Sequence, residues 1–539
     1  MAESRNNGPG MDRCITYFII LYAVTALLRI PVSAVIGSEG IAYAGPAVEL
    51  AGLCYAVIAG SACSTLRSLI KTRMRKGRYR SIFVLFHSSF TLSLLMGIAA
   101  ACAFFFGCHL LAGTAGGRSE MYLVFAAASL NVLFLSVIGT LQGYFEGVRI
   151  SMPVSSTNLL QAALNAVLTI VGGSLFYRYG ERVAALLQNE AYAPVWGAVG
   201  MMAGFDMASL ISLLYIIFLY LNTRKALRAR FEFEDRFEQM TEQKSYLIRT
   251  YTVNYLMAAA AMVFITLPVV TDYRIYMSSA QASLSDWGWF YGRTLALVSA
   301  CSALLAIPFT RYHECIAGTY YGTEKRTARS YFGLLMRLTG FLVFPAAFFC
   351  LSASNALTSS LNGKINETAA MTLQWDSAAI IFQTAGFLLV QTAFSLKKKK
   401  EVIIAAAAAF SLQTVLMNLL TAADTGIAAC AVSLLLFWFL LFLFLLLLLK
   451  DLTLYSRRWI TCWTRILFSS VIAALPVYFL SGILPDAVGN IPACLLLLVL
   501  YAVLYLLLSL FTGGCDLRYI DWLPGGRRIQ MLAEHLNLY

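Results

Sequence analysis

The sequence predicts an all-α membrane protein with about fourteen transmembrane helices, arranged as two six-helix lobes followed by two C-terminal helices. Of its 539 residues, 60% are hydrophobic and only 12% are charged, whereas about 25% charged residues is usual in soluble domains. Apolar runs of about 20 residues, enough to cross a hydrocarbon core of about 30 Å, recur along the whole chain. Basic residues are concentrated in alternate connections between these runs.

The apolar runs define fourteen predicted spans. The apolar segment behind residues 1–13 is too long for a signal peptide and has no small-residue cleavage site, so we expect an uncleaved first span. The spans are placed at 14–37, 43–70, 81–113, 121–147, 153–177, 194–222, 246–270, 287–312, 329–359, 372–396, 401–422, 426–449, 459–483 and 491–513.

The basic residues predict how the chain is oriented. Roughly 28 of the 40 Lys and Arg fall on one face and about 5 on the other, and positively charged loops remain on the cytoplasmic side. We therefore predict a multi-pass protein of the cell membrane with both termini in the cytoplasm. Since orientation explains the net charge of +13, no nucleic-acid partner is expected. The basic connections are 71–80, 224–230, 324–329, 396–400, 456–458 and 525–528.

The longest predicted cytoplasmic connection divides the chain near its midpoint. Phe233, Phe237 and Met240 repeat at helical spacing within FEFEDRFEQM, which is typical of a short surface helix. A solvated linker is the alternative. The predicted regions are a first lobe at 1–222, a linker at 223–245, a second lobe at 246–450, and two extra helices with a cytoplasmic tail at 451–539.

The twelve cysteines are scattered singly, without a C-x-x-C pair and without histidines at ligand spacing. This pattern predicts neither a metal site nor a disulfide framework, and we expect no cofactor. The cysteines are interpreted as small hydrophobic packing residues.

Charged residues inside the predicted spans are the candidate functional residues, because a charge near mid-bilayer costs about 2.5–3.5 kcal/mol and must face protein or water. By helical rise, Arg29, Glu49 and Arg293 reach similar depths in the outer half of the membrane. Arginine binds phosphate bidentately and keeps its charge, so Arg29 and Arg293, one from each lobe, are predicted to converge on one polyanion. Glu49 is a candidate substrate-binding residue that is interpreted first as the counter-charge orienting Arg29, with direct contact to the substrate as the alternative. The alternative for the arginines is structural: Arg29 pairs with Glu49 or snorkels as a helix-packing residue, and Arg293 snorkels to the outer interface.

Two further charges are candidates. Asp206, in the middle of the sixth span, is predicted to bind a coupling cation or proton, with capping of a buried backbone group as the alternative. Arg249 begins the seventh span and is the cytoplasmic-side residue that we select as a substrate ligand. The polar residues Gln142, Gln161 and Asn165 are expected to join helices by hydrogen bonds.

Several stretches resemble the polysaccharide transporter family of the multidrug/oligosaccharidyl-lipid/polysaccharide (MOP) exporter superfamily. These are RIPVSAVIGSEGIAYAGPAVEL, GRYRSIF, GYFEGVRISMPVSSTNLLQA, ITLPVVTD and LPGGRRIQMLAEHLNLY. The sequence is most similar to the SpoVB-like group and more distantly to the lipid II flippases. It departs from them at 271–292 and at LKKKK (396–400), where a glycine-containing turn is usual.

The resemblance implies an alternating-access cavity between two lobes. It also implies that Arg29 and Arg293 occupy positions of cavity arginines, and that the last two helices border a groove for a lipid tail. The predicted function is thus a flippase for an undecaprenyl-pyrophosphate-linked oligosaccharide or cell-wall precursor. Its expected partners are that substrate, membrane lipids, and glycosyltransferases or cell-wall synthesis enzymes.

Two alternatives remain open. The same fold could be a MATE-like cation or drug antiporter, although such transporters attract cations with embedded carboxylates and the first span carries Arg29 instead. A membrane-embedded glycan polymerase or ligase is the third hypothesis, but its chemistry normally needs a substantial outward loop with acid and base residues. The predicted outward loops are short, so we expect a protein that is not an enzyme.

Overall fold

The computed structural model describes residues 11–114, 119–235, 242–322, 324–362, 367–453, 458–514 and 530–531. All regular elements in these residues are helices, which confirms the predicted all-α class. Thirteen helical stretches among them are long and apolar enough to cross a membrane, so the chain is a multi-pass membrane protein. Most of the closing LPGGRRIQMLAEHLNLY stretch and the predicted cytoplasmic tail lies outside the described residues.

The first of these stretches, Arg13–Arg75, contains both of the first two predicted spans. As one straight helix, its 63 residues would be about 95 Å long, three times the thickness of the hydrocarbon core. The helical backbone is interrupted at Gly37, where φ is 78° and ψ is 169°, a conformation that glycine adopts without strain. Pro31 lacks the N–H that would bond to the carbonyl of Leu27, where the first helix ends.

The chain packs as two compact units, Ile20–Gly292 and Met1–Ile19 with Arg293–Tyr539. The predicted lobe boundaries at 222 and 246 remain a prediction. The first helix contributes to both units, and the other helices up to Gly292 belong to the first one. They are α1 (Arg13–Leu27), α2 (Arg29–Cys54), α3 (Ser61–Arg75), α4 (Arg80–Phe106), α5 (Cys108–Thr114), α6 (Tyr122–Gly147), α7 (Met152–Leu187), α8 (Tyr192–Asp235), α9 (Lys244–Thr266), α10 (Pro268–Met277) and α11 (Leu284–Trp289).

The second unit contains the remaining helices. The chain also has two π-helical turns: Tyr55–Gly60 lies between α2 and α3, and Phe290–Thr294 follows α11. The helices are α12 (Leu295–Ala306), α13 (Tyr312–Tyr321), α14 (Lys325–Ser352), α15 (Ser354–Asn362), α16 (Glu367–Ser377), α17 (Ala379–Ser395), α18 (Lys399–Ala422), α19 (Ala428–Leu448), α20 (Lys450–Thr453), α21 (Arg458–Ser481), α22 (Leu484–Val488) and α23 (Asn490–Phe511).

Helices α7 and α8 pack through glycines that bring their backbones together. A methyl group added at Gly204 would lie 2.5 Å from the carbonyl oxygen of Leu168, and one at Gly172 would lie 2.5 Å from that of Gly200. Small residues at helix contacts allow this close approach in membranes, where packing rather than water exclusion drives association. The pair therefore depends on glycine at these positions.

Both of these helices are longer than the spans predicted for them. The fifth predicted span stops at residue 177, but α7 continues to Leu187. The sixth stops at 222, but α8 continues without a break to Asp235. The first half of the predicted linker is thus helical and continuous with the sixth span, and the rest of FEFEDRFEQM beyond Asp235 lies outside the described residues.

In the second unit, the two C-terminal spans, α21 and α23, both form hydrogen bonds to the backbone of α14. The indole Nε1 of Trp463 donates a 2.7 Å hydrogen bond to the carbonyl of Met336, and the hydroxyl of Tyr505 donates a 2.8 Å bond to that of Phe341. Gly340 leaves the space that the Trp463 ring occupies. Because these carbonyls belong to a helix, the tryptophan and tyrosine also fix the register of α21 and α23 on α14.

Candidate functional site

Arg29 lies in a three-residue cluster inside the first unit. Its Nη2 atom donates a hydrogen bond to Oε1 of Glu49 at 2.8 Å, and the hydroxyl of Tyr291 donates to the same oxygen at 2.8 Å. The guanidinium carbon lies 4.1 Å from the centroid of the Tyr291 ring, which is within cation–π distance. The Arg29 cluster, as we call these three residues, thus joins an ion pair, a hydrogen bond and a ring contact.

Close packing of α11 and the following turn against α2 positions Tyr291. Gly288 faces the backbone carbonyl of Ser38 so closely that no side chain would fit there. A methyl group at Gly45 would lie 3.2 Å from the Tyr291 ring, so glycine provides the room for that ring. Trp287 is fully buried and stacks on Tyr291 with ring centroids 6.1 Å apart. The Tyr291 ring is therefore packed against both Gly45 and Trp287.

The charge of Arg29 is compensated but its hydrogen bonding is incomplete. The side chains of Arg29 and Glu49 are 11% and 20% exposed, so the pair is largely shielded from solvent. Within the described residues, the buried Nε of Arg29 has no hydrogen-bond partner. A buried donor without an acceptor is costly, and the arginine fork is suited to a bidentate anion. The structure places Glu49 where a counter-charge is expected, and substrate contact stays a prediction.

Arg293 belongs to the second unit and lies in the π-helical turn Phe290–Thr294. It lines a small crevice whose volume of about 10 Å³ would hold about one water molecule. The other lining residues are Thr294, Leu297, Thr358, Leu361, Ala369 and Leu373. The convergence of Arg29 and Arg293 on one anion remains a prediction, since each arginine is described within its own unit.

Asp206 lies on α8, one turn before a buried polar network. Ser209 donates to Oδ1 of Asn131 at 3.1 Å, and Nε2 of Gln161 donates to Ser209 at 3.4 Å. Oδ1 of Asp206 is buried and has no hydrogen-bond partner among the described residues. Gln142 and Asn165 also bond across helices, to Asn158 and Thr25. An unpartnered carboxylate oxygen next to amide and hydroxyl groups is compatible with a bound cation or proton.

Arg249 is separate from the other candidates. Its side chain is exposed on α9, while its neighbour Tyr251 points inward and shares a 2.7 Å hydrogen bond with Ser89. Arg249 forms no ion pair with any other described residue. Nothing in its surroundings distinguishes it from an arginine that meets lipid headgroups, and its role as a substrate ligand stays a prediction.

The structure adds Asp376, which the sequence analysis missed. This residue on α16 is 1% exposed, and neither carboxylate oxygen has a hydrogen-bond partner among the described residues. The predicted tenth span began at 372, which placed Asp376 at a helix end where charges are common. In the structure the helix begins at Glu367, so Asp376 is about 14 Å along it. No group of three or more His, Cys, Asp or Glu in the described part of the chain forms a metal site.

The helical architecture is similar to that of several solved membrane transporters. The structure of the lipid II flippase MurJ in an inward closed conformation matches with a TM-score of 0.62 and 13% identity, covering 94% of this chain and 98% of that one. An inward-facing multidrug resistance MATE family transporter matches with a TM-score of 0.59 and 11% identity, covering 84% and 99%. A MATE structure in complex with MaL6 matches with a TM-score of 0.54 and 12% identity, covering 85% of this chain and 98% of that one.

At these identities the likeness shows the fold. No family model and no curated protein matches the sequence.

Proposed function

We propose that the protein is a flippase that moves an undecaprenyl-pyrophosphate-linked oligosaccharide or cell-wall precursor from the cytoplasmic to the outer leaflet by alternating access. The observation that carries this proposal is the Arg29 cluster, which holds a guanidinium inside an apolar bundle with its buried Nε unsatisfied. Neither a lipid chain, nor dry helix packing, nor a cationic drug offers an acceptor for this buried N–H group. A phosphate oxygen would satisfy it.

The cluster supports an exchange mechanism. Without substrate, Glu49 neutralises Arg29, so that no net charge is left in the apolar surroundings. An incoming pyrophosphate bonds to Nε and competes with Glu49 for Nη2, while the Tyr291 ring keeps the guanidinium plane in place. After release, Glu49 returns. In this proposal Arg293 supplies the second cation and Thr294 and Thr358 supply hydroxyl groups near it.

The share of the chain that matches each solved transporter also supports this proposal. The lipid II flippase covers 94% of this chain, whereas the MATE transporters cover about 84–85%. The flippase structure thus matches about a tenth more of this chain than the antiporter structures do, which supports the flippase proposal. We propose that the enzymes supplying the substrate, glycosyltransferases or cell-wall synthesis enzymes, are functional partners.

Transport by purified arginine variants tests the proposal. The full chain is reconstituted in liposomes that carry a fluorescent undecaprenyl-pyrophosphate disaccharide, and its appearance in the opposite leaflet is measured. A hydrogen bond to a charged group is worth about 1.5–3 kcal/mol, so Arg29→Ala and Arg293→Ala should each lower the transport rate about tenfold to a hundredfold. The control is Arg75→Ala, an exposed arginine in the 71–80 turn. Unchanged transport in both test variants would overturn the site.

Cation or drug antiport is the second candidate function, because Asp376 and Asp206 are embedded carboxylates with unsatisfied oxygens. Such groups attract cations in membrane interiors. The same liposomes, given a sodium or proton gradient and a cationic dye, distinguish the two functions. Gradient-driven movement of the dye without movement of the lipid-linked sugar would favour the antiporter.

A further inference from the structure

Four consecutive lysines, Lys397 to Lys400, run from the turn between α17 and α18 into the start of α18, and the proposed transport mechanism does not use them. The N–H of Lys397 donates to the carbonyl of Phe394 at 3.1 Å, and that of Lys398 donates to Ala393 at 2.9 Å. This hydrogen-bond pattern closes a helix with one residue in the left-handed conformation, which is usually glycine. Here Lys397 takes it, with φ of 57°. The chain carries a cation at a position where the backbone favours a glycine.

Three other segments of the second unit meet this turn. The hydroxyl of Tyr321 donates a 2.6 Å hydrogen bond to the carbonyl of Leu396. Asp451 binds from the other side, with Oδ2 3.6 Å from Nζ of Lys398, and its carbonyl accepts a 2.9 Å bond from Nε of Arg329. The end of α13, the start of α14, the lysine turn and α20 therefore form one surface.

This surface is strongly positive. It has more cations than carboxylates, and Lys325, Arg326, Lys397 and Lys400 are exposed without an ion pair to any described residue. We call those four residues the lysine-turn cluster. The other cations of the four segments are Arg329, Lys398, Lys399 and Lys450, and the carboxylates are Glu324, Glu401 and Asp451. A mobile or bound anion is needed to balance the excess charge.

Two tyrosines lie beside these cations. Nζ of Lys397 lies 5.6 Å from the centroid of Tyr321, and Nζ of Lys325 lies 6.0 Å from that of Tyr320. Tyr321 is 57% exposed and is the last residue of α13. Tyrosine is enriched at the membrane interface, where its ring meets acyl chains and its hydroxyl meets water. Tyrosines beside exposed cations therefore favour a lipid headgroup over a free solute as the balancing anion.

We propose that the lysine-turn cluster is a binding site for the phosphate headgroup of an anionic phospholipid in the adjoining leaflet. Clusters of Lys and Arg next to the ends of membrane spans attract anionic lipids, and four segments fixed by Tyr321 and Asp451 hold these cations at defined positions. The site is separate from the Arg29 cluster and does not depend on what the protein transports.

Lipid binding to purified full-length protein tests this site. Dioleoyl phosphatidylglycerol, dioleoyl phosphatidylcholine and glycerol phosphate are titrated into the detergent-solubilised protein, and bound lipid is counted by native mass spectrometry. Each cation near an anionic surface is worth about a fivefold change in affinity. We expect the triple variant K325Q/K397Q/K400Q to bind phosphatidylglycerol at least about tenfold more weakly than wild type. Phosphatidylcholine binding should not change.

A matched triple variant is the control. R75Q/K76Q/R80Q removes three exposed cations from the 71–80 turn, and it should keep wild-type affinity within about twofold. K325R/K397R/K400R should restore binding, which separates lost charge from misfolding. Equal losses in both glutamine variants, unchanged affinity in the first, or glycerol phosphate binding as tight as phosphatidylglycerol would each overturn the proposal.

Lys397→Gly separates the role of the side chain from that of the backbone. Glycine fits the left-handed position better than lysine, so the variant should melt at the same temperature as wild type or higher. Its affinity for phosphatidylglycerol should nevertheless fall severalfold. A lower melting temperature with unchanged affinity would show that the lysine supports the turn instead of the lipid.

Discussion

Arg29 is held by two partners, the carboxylate of Glu49 in the next predicted span and the ring of Tyr291 far along the chain. Its helix position and its acidic neighbour in the next span can be predicted from hydropathy, because both charges interrupt apolar runs. Tyr291 could not be predicted, since a tyrosine in a span looks like any packing residue until its hydroxyl is found 2.8 Å from Glu49. Asp376 was missed for a different reason, because its burial depends on where α16 begins.

Asp376 should couple transport to a cation without contributing to stability. Burying a charged carboxylate without a hydrogen-bond partner is costly, and asparagine keeps the shape while removing the charge. We expect Asp376→Asn to keep or raise the melting temperature and to abolish stimulation of transport by a sodium or proton gradient. Both are measured on the same preparation. Asp424→Asn, in an exposed loop, is the control, and a less stable variant with full gradient stimulation would contradict the coupling role.

At the scale of elements, helix contacts in this protein depend on residues that have almost no side chain. Periodicity predicted that α7 and α8 exist, but both helices run beyond the predicted spans because polar residues can continue a helix outside the hydrocarbon core. The glycines along their contact could not be assigned from the sequence, since glycines such as Gly52 and Gly318 face open space instead.

Gly204→Leu should destabilise the α7 and α8 pair by about 1–3 kcal/mol, because its side chain would meet the backbone at Leu168 and Thr169. Unfolding in a denaturing detergent measures the loss. Gly52→Leu is the matched control, since Gly52 is exposed and a Cβ there has no atom within 4 Å. It should change stability by less than about 0.5 kcal/mol. If both variants unfolded like wild type, the close contact would not be important for stability.

A second element-scale prediction concerns Glu242, just before α9, which pairs with Arg73 and Arg78. Burial raises the pKa of its carboxyl, but the hydrogen bond and charge of Arg78, with those of Arg73, outweigh burial and hold the pKa below its usual value. A carboxyl with a lower pKa in the folded state stabilises above its unfolded pKa, near 4.3. That stability is lost as the pH falls through the folded pKa.

Glu242→Gln should therefore lower the melting temperature at pH 7 but have little effect well below about pH 4. Melting curves of wild type and variant between these pH values measure the difference. Glu190→Gln, an exposed carboxylate in another turn, provides the comparison. A difference that did not shrink on acidification would mean that the ion pairs contribute nothing and that the substitution acts through packing.

At the scale of the whole molecule, composition and hydropathy were enough to predict the fold class and the spans. They could not predict which helices pack against each other. In lipid, the N–H and C=O groups of the backbone must bond within the same segment, so a long apolar run has to be helical. Each span can therefore be predicted from hydropathy. How they pack depends on contacts such as Trp463 on α14, which lie far apart in sequence.

The orientation inferred from basic loops predicts that both termini are cytoplasmic. Green fluorescent protein fused to either terminus of the full chain should therefore fluoresce. Alkaline phosphatase fused after Glu190, in a predicted outward connection, should be active, because it folds only outside the cytoplasm. An inactive phosphatase at this position together with a dark C-terminal fusion would reverse the predicted orientation.

The wide turn Phe290–Thr294 has a consequence for comparing this chain with other proteins. A π-helical turn contains one more residue than an α-helical turn, and one residue corresponds to about 100° of rotation around the axis. The side chains that come directly after the turn are displaced by about that angle from where an uninterrupted α-helix would place them. An ungapped alignment with a relative that lacks this extra residue is shifted by one position after the turn. Arg293 would then be aligned with the wrong residue, and its charge would be assigned to the wrong side of the span.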